Sequence, residues 1–221
     1  MIVRLGCLGL LVFSPAGCGR DPEPPASPPL PPVAEGSRGR VVFLGTSLTA
    51  GLGLDPSEAY PALLQRKIDS AGLAFTAVNA GVSGETSAGA LRRIDWVLRE
   101  PASVLVIETG ANDMLRGLDT DSLEANIQAI IDRARRQDPP PRIILLGMRG
   151  LPNYGLLYVR RFNAVYPELS KRNSVPLVPF LLEGVAGVDS LNQADMMHPT
   201  AAGQRRVAET VWPAVLKAIG R

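Results

Sequence analysis

Five short apolar runs punctuate the chain, at Arg40–Gly45, Ala74–Val82, Ser103–Thr109, Arg142–Met148 and Pro176–Phe180, and most are rich in β-branched residues. They are too short and too evenly apolar for amphipathic helices, and they fit strands covered on both faces. Between them the apolar positions fall three and four apart. Leu63, Leu64 and Ile68 mark one such stretch, with Pro61 acceptable in its first turn. Leu91, Ile94, Val97 and Leu98 mark the next, and Leu123, Ile127, Ile130, Ile131 and Ala134 follow the 3.6-residue stripe of a half-buried helix. Two further helices are expected over 156–172 and 200–219. Strands alternating with helices predict a three-layer α/β/α domain on a five-stranded parallel sheet, in the flavodoxin-like order 2-1-3-4-5. That order sets strand 1 between strands 2 and 3. Ligands of open α/β sheets bind beyond the carboxyl ends of the strands at such a switch point, so whatever follows these three strands should converge.

The chain ahead of residue 38 has another character. Arg4 gives a positive start, Leu5–Phe13 an apolar run too short to span a bilayer, and Ser14–Gly17 a region of small residues. Cys18 follows directly. Ala16-Gly17-Cys18 resembles the end of a bacterial lipobox, although Pro15 stands where leucine is usual. The expectation is a lipoprotein-type signal peptide over 1–17, with Cys7 discarded and Cys18 acylated; ordinary secretion with cleavage nearby is the competing reading. Residues 18–37 carry Pro22, Pro24, Pro25, Pro28, Pro29, Pro31 and Pro32, the composition of an extended tether. The domain proper is 38–221, about 184 residues, enough for one well-cored unit.

Composition narrows the chemistry. Both cysteines precede residue 19, so disulfides, thiolate catalysis and cysteine metal sites are excluded from the domain. Twenty-three Lys and Arg against 21 Asp and Glu give a net charge of +2, with no concentrated patch that would predict a nucleic-acid partner. The pairs Arg92-Arg93, Arg135-Arg136 and Arg160-Arg161 read as solvated helix faces.

Three polar clusters follow the first three strands: Gly45-Thr46-Ser47-Leu48-Thr49, Asn79 to Thr86, and Gly110-Ala111-Asn112-Asp113. Taken singly, Ser47, Ser83 and Asn112 are common turn formers. Taken together they offer a hydroxyl nucleophile, backbone N–H donors and a carboxamide, the parts of an acyl-transfer site. His198, the single histidine, lies three residues after Asp195. Alone it reads equally as a loop residue; beside the clusters it supplies the missing base, with Asp195 as its orienter. One histidine and no domain cysteine make a zinc site improbable.

In order and spacing, these blocks resemble the SGNH (GDSL-type) hydrolases, and most of all the bacterial thioesterase I, arylesterase and lysophospholipase group. Tyr60 to Leu64, Met114 to Gly117, Leu151 to Gly155, Tyr166-Pro167 and Val175 to Phe180 extend the likeness over Val41 to Ile219. The resemblance implies Ser47 as nucleophile and His198 as general base, then acid, with Asp195 holding the imidazole. It implies an oxyanion hole of Ser47, Gly84 and Asn112, and an acyl groove walled by Met114, Leu115, Arg116, Pro152 and Tyr154. No cofactor and no metal are implied, and a monomer is expected.

Two departures stand out. Thr46 replaces the usual aspartate of the first block, which should alter local hydrogen bonding or a pKa and spare activity. Ala111 replaces a glycine, which is tolerable only at negative φ. An α/β-hydrolase fits poorly, because Thr49 stands where a nucleophile elbow needs its second glycine. The expected function is a serine esterase acting on esters or thioesters. A carbohydrate O-deacetylase and a non-catalytic envelope lipoprotein are the alternatives. The expected address is the bacterial envelope, lipid-anchored, with Gly19 after the cysteine pointing to the outer membrane facing the periplasm.

Overall fold

The structure, a computed structural model, describes residues 38–220; the expected signal peptide and the whole expected tether, Cys18 included, lie outside them. Five parallel strands form one sheet in the order β2-β1-β3-β4-β5: β1 (Gly39–Gly45), β2 (Phe75–Gly81), β3 (Val104–Glu108), β4 (Arg142–Leu146) and β5 (Leu177–Val178). The helices are α1 (Ser47–Ala50), α2 (Tyr60–Ser70), α3 (Ser87–Val97), α4 (Ala111–Leu115), α5 (Thr120–Ala134), α6 (Leu156–Asn173) and α7 (Ala201–Ile219). Helix α2 packs against α7, while α3 packs on α5 and α5 on α6. The predicted three-layer sandwich and strand order both hold.

The central strands owe their composition to burial on both faces. Val41 to Leu44 and Val104 to Ile107 are almost wholly inaccessible, as are Ile144 to Leu146, so period-two alternation disappears there. Edge strand β2 keeps partial exposure along its length. Helix α5 buries Leu123, Ile127, Ile130, Ile131 and Ala134, the stripe read from the sequence. Asp119 caps its start by accepting the Ser122 N–H.

The fifth strand is the main difference from expectation. The run Pro176–Phe180 pairs only through Leu177 and Val178, because Pro176 and Pro179 lack the N–H that would extend the ladder. Helices α1 and α4, of four and five residues, were not anticipated, since a single turn leaves no periodicity to read.

Candidate active site

Three of the four contributions to this site hang from strand ends. At the close of β1 the chain turns into α1, which begins at Ser47, now 8% exposed. Residue 81 at the end of β2 must be small, since a Cβ there would come within 2.3 Å of the Ala50 nitrogen. The loop after β2 carries Gly84 at φ 76, a left-handed conformation that favours glycine. After β3, α4 presents Asn112, and Ala111 has no positive φ, as the substitution requires.

The fourth contribution comes from the loop ahead of α7. It folds back through an antiparallel bridge between Asn192 and Pro199 and a 2.7 Å bond from the Gln193 N–H to the His198 carbonyl. Met196 turns the chain at φ 57. The result sets His198 Nε2 2.9 Å from Ser47 Oγ and His198 Nδ1 2.6 Å from Asp195 Oδ2. The other oxygen, Asp195 Oδ1, accepts the backbone N–H groups of Met197 and His198 at 2.9 and 3.0 Å. The His198 bond and then these two N–H donors hold the Asp195 carboxyl down at about 2.

Asn112 Nδ2 donates to the Glu85 carbonyl at 2.9 Å, leaving its second hydrogen available. Ser47, Gly84, Asn112 and His198 line one cavity of about 360 Å³. Among the described residues the Ser47 and Gly84 N–H groups donate to no other acceptor. So the structure brings together all five residues expected at the reacting centre.

The residues expected in the groove divide. Met114 and Leu115 line the cavity; Arg116, Pro152 and Tyr154 do not. Pro152–Tyr154 forms a 3₁₀ turn that sends the Tyr154 hydroxyl to the Leu115 carbonyl, so Tyr154 props the wall from behind. Arg116 instead donates to the Gly84 carbonyl at 2.8 Å. The rest of the apolar wall comes from residues not singled out for the groove, among them Leu48, Leu52, Met148, Phe180 and Leu182. Met148 and Phe180 follow the ends of β4 and β5, so the strand-end rule applied to all five strands would have found them.

A further correction concerns charge. Arg93 is no solvated face: it is 18% exposed, forks onto both oxygens of Glu85 and reaches the Gly45 carbonyl at 3.3 Å. Arg135 stays exposed, as read, while it donates to the side chain and carbonyl of Asn173. Arg93 therefore ties the loop after β2 to the end of β1. Asp113, beside Asn112, is buried and accepts both the N–H and the hydroxyl of Ser87, which fixes α4 against the start of α3. Among the described residues no group of three His, Cys, Asp or Glu side chains is arranged to hold a metal ion.

Comparison with known proteins agrees with this geometry. Residues 43–206 match the GDSL-like lipase/acylhydrolase family. Esterase TesA of Pseudomonas aeruginosa is 41% identical over 174 residues, covering 78% of this chain and 86% of that protein. Thioesterase 1/protease 1/lysophospholipase L1 of Escherichia coli is 37% identical over 171 residues, 76% of this chain and 79% of that one. The crystal structure of TesA superposes with a TM-score of 0.77 at 40% identity, over 81% of this chain and 99% of that one. Extent and identity point the same way, and the chain belongs to the GDSL-like lipase/acylhydrolase family.

Proposed function

We propose that this protein is a serine esterase cleaving carboxylic esters and thioesters through an acyl-Ser47 intermediate. The observation that carries the reading is the hydrogen-bonded line Asp195–His198–Ser47 ending at an apolar cavity beside two free backbone N–H groups and Asn112. Ser47 Oγ attacks the substrate carbonyl while His198 Nε2 takes its proton. The developing oxyanion is held by Ser47 N–H, Gly84 N–H and the free Asn112 hydrogen. His198 then hands its proton to the departing alcohol or thiol as the tetrahedral intermediate collapses to the acyl-enzyme. Water enters, loses a proton to His198 and attacks the acyl carbonyl; Ser47 leaves with that proton. Throughout, Asp195 keeps the imidazole in one orientation and stabilises its charged form.

The cavity supports an acyl substrate over a sugar-borne acetyl group. At about 360 Å³ it is near the small end of ligand sites, and Leu48, Leu52, Met114, Met148, Phe180 and Leu182 surround it. The thioesterase and lysophospholipase activities named for the Escherichia coli relative support the same substrate class. A p-nitrophenyl ester series from acetyl to dodecanoyl tests this. Wild type is expected to turn over with a medium-chain optimum, and Asn112→Ala to lose on the order of 100- to 1,000-fold in kcat. No turnover sinks the esterase reading, whereas activity on acetyl esters alone favours the deacetylase.

The anchor is a second proposal, supported by Arg4, Leu5–Phe13, Ala16-Gly17-Cys18 and the proline-rich stretch behind them. It places the enzyme on the outer membrane, facing the periplasm. Labelled palmitate should enter wild type and not Cys18→Ala; label persisting in the variant eliminates the anchor.

A further inference from the structure

Glu108 ends β3 with a carboxyl group that is fully buried, and none of the steps above uses it. Among the described residues no Lys, Arg or His forms an ion pair with it. A carboxyl group buried without a cation survives only if its oxygens are well supplied with hydrogen bonds. Here every donor comes from the nucleophile loop. The Thr46 N–H reaches Oε2 at 2.7 Å, the Thr46 hydroxyl lies 3.0 Å from both oxygens, and the Thr49 hydroxyl reaches Oε2 at 2.9 Å. Thr49 Oγ1 is also 2.9 Å from the Tyr60 hydroxyl. Because Thr49 donates to Glu108, Tyr60 donates to Thr49. All four residues are at most 1% exposed.

The close approach depends on Gly45. A Cβ there would sit 2.7 Å from Glu108 Oε2 and 2.0 Å from Thr49 Oγ1. The carboxyl group thus lies directly beneath the loop and grips the residues on either side of Ser47.

Ser47 must meet two geometric demands at once: its N–H must face the oxyanion position, and its Oγ must stay 2.9 Å from His198 Nε2. Both swing with the peptide that joins Thr46 to Ser47. We propose that Glu108 is the positioning residue of the nucleophile, pinning Thr46 and Thr49 so that the Ser47 N–H and Oγ are held in place together. The inference rests on Ser47 being the nucleophile. It also gives Thr46, the departure from the family's usual aspartate, a specific task, because its N–H and hydroxyl both hold the Glu108 carboxyl group.

The pattern requires hydrogen bonds rather than charge. Burial pushes the Glu108 carboxyl group up, the hydrogen bonds from Thr46 and Thr49 opposing it. A glutamine keeps an oxygen that accepts from the Thr46 N–H and the Thr49 hydroxyl, and its NH₂ donates to Thr46 Oγ1, whose hydroxyl turns to accept. Alanine removes all of these contacts.

The test compares full-length Glu108→Gln, Glu108→Ala and Thr46→Val by p-nitrophenyl ester kinetics, the rate of Ser47 phosphonylation by a fluorophosphonate, and thermal melting. Glu108→Ala should lose on the order of 100-fold in kcat with KM within about twofold, while Glu108→Gln stays within about threefold of wild type. Thr46→Val, which keeps the Thr46 N–H and Thr49 bonds, should lose about tenfold. Phosphonylation should slow in step with kcat. If Glu108→Ala fails to fold, Thr46→Val and Glu108→Gln still decide the matter. A loss confined to KM or to melting temperature overturns the inference, as does Glu108→Gln as slow as Glu108→Ala, or Thr46→Val at wild-type speed. Turnover surviving in Ser47→Ala would instead sink the nucleophile reading, whereas a dead Ser47→Ala beside a fully active Glu108→Ala sinks this inference alone.

Discussion

Replacing either Ser47 or His198 by alanine is expected to lower kcat by about a million-fold, and replacing both should cost scarcely more. On the proposed mechanism the two residues act as one device: the hydroxyl is a weak nucleophile until the imidazole 2.9 Å away takes its proton. No second imidazole exists in the chain, so nothing stands in for the base. What survives in each variant is the contribution of the oxyanion donors and substrate binding, about a thousand-fold over water. Ester kinetics on the two single variants and the double variant check this. Losses that multiply would mean that Ser47 and His198 serve separate steps.

Asp195→Asn is expected to lower kcat by about 10⁴-fold with the fold intact, and the loop geometry gives the reason. Asp195 Oδ1 accepts two backbone N–H groups, from Met197 and His198. An asparagine must turn its single oxygen to those donors, which points its NH₂ at His198 Nδ1. That nitrogen can then only accept, the ring proton moves to Nε2, and Nε2 can no longer take the Ser47 proton. Asp195→Ala, which imposes no tautomer, should be less damaging than Asp195→Asn. The comparison of the two, by kcat on one ester, separates tautomer control from simple loss of charge.

The same bonds set the pH response. With Asp195 held at about 2, below the unfolded carboxylate range, its contribution to stability is fully present above that range. It fades as pH falls toward 2. Across ordinary assay conditions Asp195 stays ionised, so its own titration should leave no mark on the kcat/KM profile there.

Much of this was legible in the sequence, for definite reasons. Strands buried on both faces write themselves as apolar runs, and the residues after them are free to be polar, so Ser47, Gly84 and Asn112 stood out at strand ends. His198 stood out by being alone. The groove was less legible because its walls are ordinary apolar side chains: Leu48, Met148 and Leu182 carry no mark that separates them from the core. Tyr154 looked like a wall residue, yet a 3₁₀ turn aims its hydroxyl at the Leu115 carbonyl. Glu108 gave one signal, a lone acid in an apolar run. Its meaning depends on donors about 60 residues earlier in the chain, and a local pattern does not reach that far.

The central claim is that Ser47 carries the acyl group, and covalent trapping tests it most directly. A fluorophosphonate that mimics the tetrahedral intermediate is reacted with wild type to complete loss of esterase activity, and the digested chain is mapped by mass spectrometry. The account predicts one phosphonyl group per chain, on the peptide bearing Ser47, appearing in step with the loss of activity and absent from Ser47→Ala. Inactivation with the label on another residue, or a Ser47→Ala chain that still turns over ester at the wild-type rate, would contradict it.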